Sequence, residues 1–534
     1  MTVLAPSKDK CVVTIHRSSA PRVLHYGEGF LRERLPEGTR VLYPPPPLQP
    51  VKDSRAAIRY AIAHPENSEP LFALLKPGMK ITIGIDDISL PLPMMKLPDV
   101  RQEILEVVLD QLAEYGVDDV HLVVATSLHR RMTEEEIRRM VGPKVFRAYW
   151  PDRLYNHDAE DRENLKHLGE TPHKEQVWLN KRAAESDLVL YVNINLVPMD
   201  GGHKSVGVGL TCYETLRHHH NPQTILNSWS FMDPERSALA KSCNRIGKVV
   251  NDAVRVFTIE TTINNDMFGN GPLSFLQKNE DDWNAADELA FKGTKATLDK
   301  LPRALKRNFF MRIPANYGIT GVHAGETEAT HVKTLENCYR QYAVPVQGQA
   351  DVLISGVPYV CPYNVNSILN PLLVHCTALG YFFNMYRGKE PLLRKGGVII
   401  ITHPLYDEFD PDVHPSYIEF FHRILTETRD SKVIERDYEE RFAREPSYIH
   451  MFRTGKAYHP VHPFYMWYWG EAGRASTGKV IVVGAESKRC AEILGWDVAP
   501  TLDDAIGEAR AFLGKPNPQI TVLHHPPLLM ADMK

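Results

Sequence analysis

Two periodicities alternate along the chain. Short apolar runs, alternating or continuous, mark strands, and each is neighboured by a stretch whose apolar residues recur at helical spacing. The first clear unit is Met79-Lys80-Ile81-Thr82-Ile83-Gly84-Ile85, which follows the turn Leu75-Lys76-Pro77-Gly78 and runs into Asp86-Asp87. A helix is predicted over 100–115, with Ile104, Val107, Val108 and Leu112 on one face and Gly116 as its stop. The strand His121-Leu122-Val123-Val124-Ala125 comes next, and comparable runs recur at 187–192, 351–354, 397–402 and 479–484. Such alternation predicts an α/β fold of parallel-type sheets flanked by helices, with ligands bound beyond the carboxyl ends of the strands. Tyr43-Pro44-Pro45-Pro46-Pro47 predicts an extended surface crossing.

At roughly 150 residues per domain, 534 residues suit a two-domain reading. An amino-terminal domain, 1–342, would carry an insertion or lid at 264–313 with a long charged helical segment. A carboxyl-terminal domain, 343–534, would close over it, leaving the site in the interdomain cleft and the chain's tail packing back on the first domain. Lys and Arg number 62 against 66 Asp and Glu, a formal charge of −4, and no basic run offers the footprint of a nucleic-acid binder. No apolar stretch is long enough for a membrane span or a leader, and seven cysteines without a C-x-x-C pair fit reduced thiols of a cytoplasmic protein. The 23 histidines carry the chemical interest.

His129 lies in Ala125-Thr126-Ser127-Leu128-His129-Arg130, at a strand's carboxyl end and ahead of a Thr133/Glu136 capping box. A histidine there suits general acid/base work; a packing role is the plain alternative. Gly201-Gly202-His203-Lys204-Ser205-Val206-Gly207-Val208-Gly209 reads as an anion nest or as a simple turn. In Arg217-His218-His219-His220-Asn221-Pro222 adjacent rings cannot all face one point, so one or two could bind nickel, zinc or copper, against the alternative of a solvated helix end. Asn156-His157-Asp158 reads as a turn. Gly473-Arg474-Ala475-Ser476-Thr477-Gly478-Lys479 has P-loop spacing, but Val480 stands where Ser or Thr is needed, so a turn feeding an edge strand is expected.

Taken in order, these segments resemble the lactate racemase family, together with Tyr26-Gly27, Asp86-Asp87-Ile88-Ser89, Tyr213-Glu214-Thr215-Leu216-Arg217 and Val322-His323-Ala324-Gly325-Glu326. The resemblance implies a nickel-pincer nucleotide, a pyridinium-3-thioamide-5-thiocarboxylate mononucleotide, made by dedicated biosynthesis proteins. It implies Lys204 as the cofactor tether, His220 as the nickel ligand and His129 as one of two catalytic histidines. Asp87 and Ser89 would lie near ribose and substrate, with Gly201, Gly202 and Ser205 around the cofactor. The second acid/base would be His203 or His323.

The departures fall where the family holds a carboxylate. Leu90 replaces an arginine, and Leu369 and Leu372 stand at a glutamine and a lysine position of Asn364-Val365-Asn366-Ser367-Ile368-Leu369-Asn370-Pro371-Leu372. Trp467 resembles an active-site tryptophan. A carboxylate facing leucines would be a buried unpaired charge. The expectation is therefore a racemase or epimerase inverting a secondary alcohol carbon in a small-molecule hydroxy compound other than lactate. Its rivals are a non-catalytic binding protein and a hydrolase with His-bound zinc.

Overall fold

The computed structural model describes Lys8 and residues 10–269 and 271–534. The readings placed on the first seven residues and on Asn270 lie outside the described residues. The protein is a mixed α/β structure built on two large sheets flanked by helices.

The first sheet has six strands, in the order Ile319–Gly325, Val256–Ile263, Leu188–Asn195, Lys80–Asp86, Asp119–Ala125, Leu154–Asn156. All pair in parallel except Ile319–Gly325, which caps one edge antiparallel. From Lys80–Asp86 the chain winds one way through 119–125 and 154–156, and from Leu188–Asn195 it winds the other way through 256–263. These two neighbouring strands are thus the point where strand order reverses, and the crevice at their carboxyl ends is the favoured ligand position in such sheets. Both are covered on both faces, so Leu188–Asn195 is buried at every residue and reads as a continuous apolar run. The helix Val100–Glu114 buries the predicted Ile104, Val107, Val108 and Leu112 and is capped by the Asp99 side chain.

The second sheet has nine strands. Its path is Val12–Thr14, Arg40–Leu42, Ile520–Leu523, Ala350–Pro358, Leu393–Thr402, Thr477–Val483, Asp497–Ala499, with the hairpin Arg22–Gly27 and Gly29–Glu33 joined to the end of Ala350–Pro358. Strands from residues 12–42 therefore belong to the sheet of residues 350–523, across the division expected near 342. Thr477–Val483 is an inner strand between Leu393–Thr402 and Asp497–Ala499, and the P-loop-like segment before it is the helix Glu471–Ser476, so the expected turn and edge strand are not what forms.

The tail strand Met530–Met533 pairs with Ala343–Val346 and Tyr386–Gly388, while His524 reaches Glu280 in the 264–313 segment. That segment holds two helices, Ala285–Lys300 and Arg303–Arg312, broken at Leu301-Pro302, rather than one. It shares a small core with the hairpin, in which Val23 and Phe30 meet Phe275, Leu276 and Phe291. The proline run has no regular structure, and Asn264 and Asn265 donate to the carbonyls of Leu48 and Pro45 along it. All seven cysteines are buried, and no helix among the described residues is long and apolar enough to cross a membrane.

Candidate active site

The carboxyl ends of both sheets open on one cavity of about 250 Å³. Ser89 and Leu90 follow Lys80–Asp86, His129 follows Asp119–Ala125, Asp200 and Lys204 follow Leu188–Asn195, and Met267 follows Val256–Ile263. Val360 and Tyr363 follow Ala350–Pro358, and His525 follows Ile520–Leu523. Residues remote in sequence meet here because parallel strands send all their carboxyl-terminal loops to one side.

His129 is held from two directions. Its Nδ1 lies 2.7 Å from Asp87 Oδ2, and Asp87 is itself fixed by the Ser89 backbone N–H at 2.9 Å and the Ser89 hydroxyl. Burial disfavours the Asp87 charge, but the His129 ring and the Ser89 donors outweigh it and hold the carboxyl below its usual range. An ionised Asp87 accepts the proton on Nδ1, which leaves Nε2 as a bare lone pair. Around the ring stand Tyr363, Tyr458 and His462, at centroid distances of 5.5, 6.1 and 5.6 Å.

The loop carrying His129 is tied down on both sides. Thr133 and Glu136 form the predicted capping box, and Glu136 also accepts from Arg130 at 2.7 Å and from Asn366 at 2.7 Å. Asn156 clamps both backbone groups of Met132, and the buried His157 donates from Nε2 to the Thr211 carbonyl and accepts at Nδ1 from Asn180, so Asn156 and His157 position the loop.

Asp86, at the strand-order reversal, was not singled out from sequence. Its carboxylate accepts from Asn193 Nδ2 at 2.6 Å, from the Ile194 N–H at 3.0 Å and from the Tyr191 hydroxyl at 3.1 Å, stitching the two central strand ends together. Burial pushes its pKa up to about 7 against the pull of the Ile194 N–H and of Arg101.

Lys204 lines the cavity, and its Nζ donates to the Met199 carbonyl at 3.1 Å. His220 lines it as well. Its Nδ1 lies 2.6 Å from His219 Nδ1, its ring stacks on Trp469 at 5.1 Å, and burial beside His219 pulls its pKa well below the ordinary value, so it is a neutral imidazole. Among the described residues no protein group hydrogen-bonds its Nε2. Nor does any set of three His, Cys, Asp or Glu among them stand ready to hold a metal ion. A metal at His220 would therefore need most of its ligands from a non-protein group, and a reactive amine on Lys204 in the same cavity fits a tethered one.

The glycine loop differs from its sequence reading. Gly201 and Gly202 both have positive φ, and Gly202, at φ 62° and ψ −152°, has a conformation that essentially only glycine adopts. The anion they face is the protein's own: the Gly202 N–H donates to Glu260 Oε1 at 2.6 Å. Burial opposes the Glu260 charge, yet the His331 ring and the Gly202 N–H hold its carboxyl low. A phosphate at these amides would meet that carboxylate. Ser205 keeps a buried Oγ without a partner.

Other expected site residues lie elsewhere. His203 is buried against Gly247, with Nε2 3.2 Å from Glu328, and His323 sits on the edge strand opposite Glu260; neither lines the cavity. Leu369 and Leu372 are fully buried in the core around the helix Pro371–His375, and Leu90 alone of the three leucines reaches the cavity. Trp467 stacks on His375 at 4.4 Å under Arg474, while Trp469 is the tryptophan at the cavity wall. His25, Asp200, Tyr381 and His525 line the cavity without having been singled out.

The amine, the imidazole and the Asp–His pair all come from one segment of the chain, and that segment is similar to a domain of known proteins. Residues 26–232 match the lactate racemase N-terminal domain, so this part of the chain is that of a divergent relative of the lactate racemases. It is 25% identical over 173 residues to the lactate racemase of Lactiplantibacillus plantarum, covering 32% of this chain and 38% of that protein. With the lactate racemase of Thermoanaerobacterium thermosaccharolyticum the figures are 22% over 178 residues, 32% and 39%. These alignments thus span well under half the length of either relative. The fold likeness is longer: the lactate racemase apoprotein of T. thermosaccharolyticum superposes with a TM-score of 0.60 at 17% identity, over 96% of this chain and all of that one. A Thermotoga maritima protein follows at 0.51 and 13%, over 92% of this chain.

Proposed function

We propose that the protein is a nickel-pincer nucleotide-dependent racemase or epimerase that inverts a secondary alcohol carbon in a hydroxy compound other than lactate. The observation that carries this is the convergence of Lys204, His220 and the Asp87–His129 pair on one cavity. Lys204 would tether the cofactor and His220 would ligate its nickel; when bound, the cofactor supplies a reversible hydride acceptor. The chain's own work is proton handling and positioning. His129 Nε2 takes the proton of the substrate hydroxyl while Asp87 stabilises the cationic ring that results; a second acid/base would protonate the oxygen of the inverted product, and His129 would then release its proton to solvent. The apolar walls exclude water, so the transient carbonyl compound is not lost to solvent exchange.

With His203 and His323 outside the cavity, a second acid/base must come from its lining, where Tyr363 and Tyr381 share a hydroxyl–hydroxyl bond of 2.9 Å near His129. Leu90 in place of a cation supports a substrate other than lactate. A cytoplasmic setting and supply by cofactor-biosynthesis proteins belong to the same proposal. The test is intact mass and nickel analysis of protein produced alongside those biosynthesis proteins. A mass gain and stoichiometric nickel, both lost in Lys204→Ala, are expected; neither appearing in the wild-type protein refutes the cofactor assignment.

A further inference from the structure

The cavity has a second polar feature, on the wall contributed by the nine-stranded sheet. His25, in the strand Arg22–Gly27, lines it with its ring edge-on to Phe30 at 5.1 Å. The residue is 7% exposed, and its ring has no hydrogen-bond partner in the protein beyond the Pro526 carbonyl. Burial, reinforced by His524, pushes its pKa down to about 3 against the hydrogen bond to the Pro526 carbonyl, so the ring is neutral at physiological pH. A neutral imidazole offers one donor and one acceptor; with the donor turned to the Pro526 carbonyl the acceptor is left over, and buried polar groups of this kind are nearly always satisfied by something. His525 lines the same cavity, and its Nε2 is already engaged by Ser355 Oγ at 3.0 Å.

The rest of the lining is strongly apolar, with Leu90, Leu196, Phe268, Leu276, Phe310 and Phe382 among its walls. Among the described residues the only Lys, Arg, Asp or Glu in it are Lys204 and Asp200. The guanidinium groups close to the His129 loop are already committed. Arg130 pairs with both oxygens of Glu136, and Arg101 pairs with Asp99 while donating to the carbonyls of Asp86, Asp87 and Leu90. A substrate carboxylate would find only the Lys204 amine, the group assigned above to the cofactor, and would lie near Asp200.

We infer that the site takes an uncharged hydroxy compound with an apolar body and a second hydroxyl, which His25 recognises while the reacting carbinol lies at His129. The inference rests on the reading of the cavity as the substrate site of an alcohol epimerase, and it names that substrate's class. His25 would then set specificity without touching the reacting carbon.

The test is ligand-observed NMR titration of the cofactor-loaded full chain with three matched series, hexane to decane in length. These are alkanediols with a secondary hydroxyl at the penultimate carbon and a primary one at the far end, the corresponding secondary alkanols, and the corresponding α-hydroxy acids. At least one diol is expected to bind about tenfold more tightly than its alkanol, and the acids more weakly than both. His25→Phe should erase the advantage of the diol and leave alkanol binding within about twofold, while His25→Gln, which keeps a donor and an acceptor, should retain part of it. Tightest binding by an acid, no diol exceeding its alkanol, or an unchanged ratio in His25→Phe would each overturn the inference. The wild-type ranking decides the substrate class even if a variant misfolds. Chiral analysis of the same samples separates the two readings: selective diol binding without inversion counts against the epimerase, whereas efficient inversion of an α-hydroxy acid counts only against the uncharged substrate.

Discussion

Replacing Asp86 by Asn should stabilise the protein selectively at alkaline pH. In the folded state the carboxyl titrates at about 7 instead of 3.8, because burial penalises its charge more than the Ile194 N–H, Arg101 and Tyr191 recover. Between those two values the folded protein holds a proton that the unfolded chain has released. Stability contributed by this group therefore falls as pH rises through that window and stays low above it. From pH 5 to 8 the part of the window still to be crossed is about 2 units at ~1.4 kcal/mol each, which partial solvent screening reduces to about 2 kcal/mol. Asn carries no such penalty, and its amide has a ready acceptor, since Asn193 Oδ1 is buried without a partner and can turn to face it. The assay is thermal unfolding of both proteins at pH 5 and pH 8. The variant's melting temperature relative to wild type should be higher at pH 8 than at pH 5 by about 2–4 °C for a cooperative unit of this size. A difference that does not change with pH would refute the placement of a destabilising charge at the strand-order reversal.

Asp87→Asn should lower inversion by about 10²–10⁴-fold with nickel content unchanged, because the neutral amide no longer stabilises the charged His129 ring; steady-state kinetics beside metal analysis checks this. His220→Ala should keep the Lys204-dependent mass gain yet lose at least about tenfold in nickel per protein, and retention of full nickel would remove His220 from the metal's ligands. Gly202→Ala should cost about 1–3 kcal/mol in unfolding free energy, since its backbone conformation excludes a Cβ and that atom would lie 2.9 Å from the His331 ring. Trp469→Ala should destabilise by about 3–5 kcal/mol and loosen nickel binding together, because the same ring packs on Phe231 and stacks on His220.

The central strands were legible from sequence because a parallel strand covered on both faces must be apolar throughout, and Leu188–Asn195 is. His129 and Asp87 were legible for the same reason, as polar residues where such runs stop. The glycine loop was legible as a turn or anion nest, but nothing in its sequence shows that Glu260, 58 residues on, accepts from the Gly202 amide. In the helix His462–Trp469 every residue is buried, so no polar face distinguishes Trp467 from Trp469. Leu369 and Leu372 were assigned to the pocket by the family resemblance, but they flank Asn370, which caps the helix Pro371–His375, and both are buried in the core. His25 and His525 gave no local signal, because what makes them cavity residues is the pairing of strands from opposite ends of the chain.

That pairing also sets a schedule. Arg40 is hydrogen-bonded in register with Thr521, and the strand carrying His25 joins the sheet through Val357. A ribosome adding about 5–20 residues per second needs roughly 25–100 s to travel from one partner of the first pair to the other. Once residue 325 has been added the six-stranded sheet has all its strands, while Arg40–Leu42 still waits for the neighbour that completes its sheet. The cavity wall bearing His525 is made after the others, so the nascent protein closes its cavity only long after Lys204 and His220 have been added.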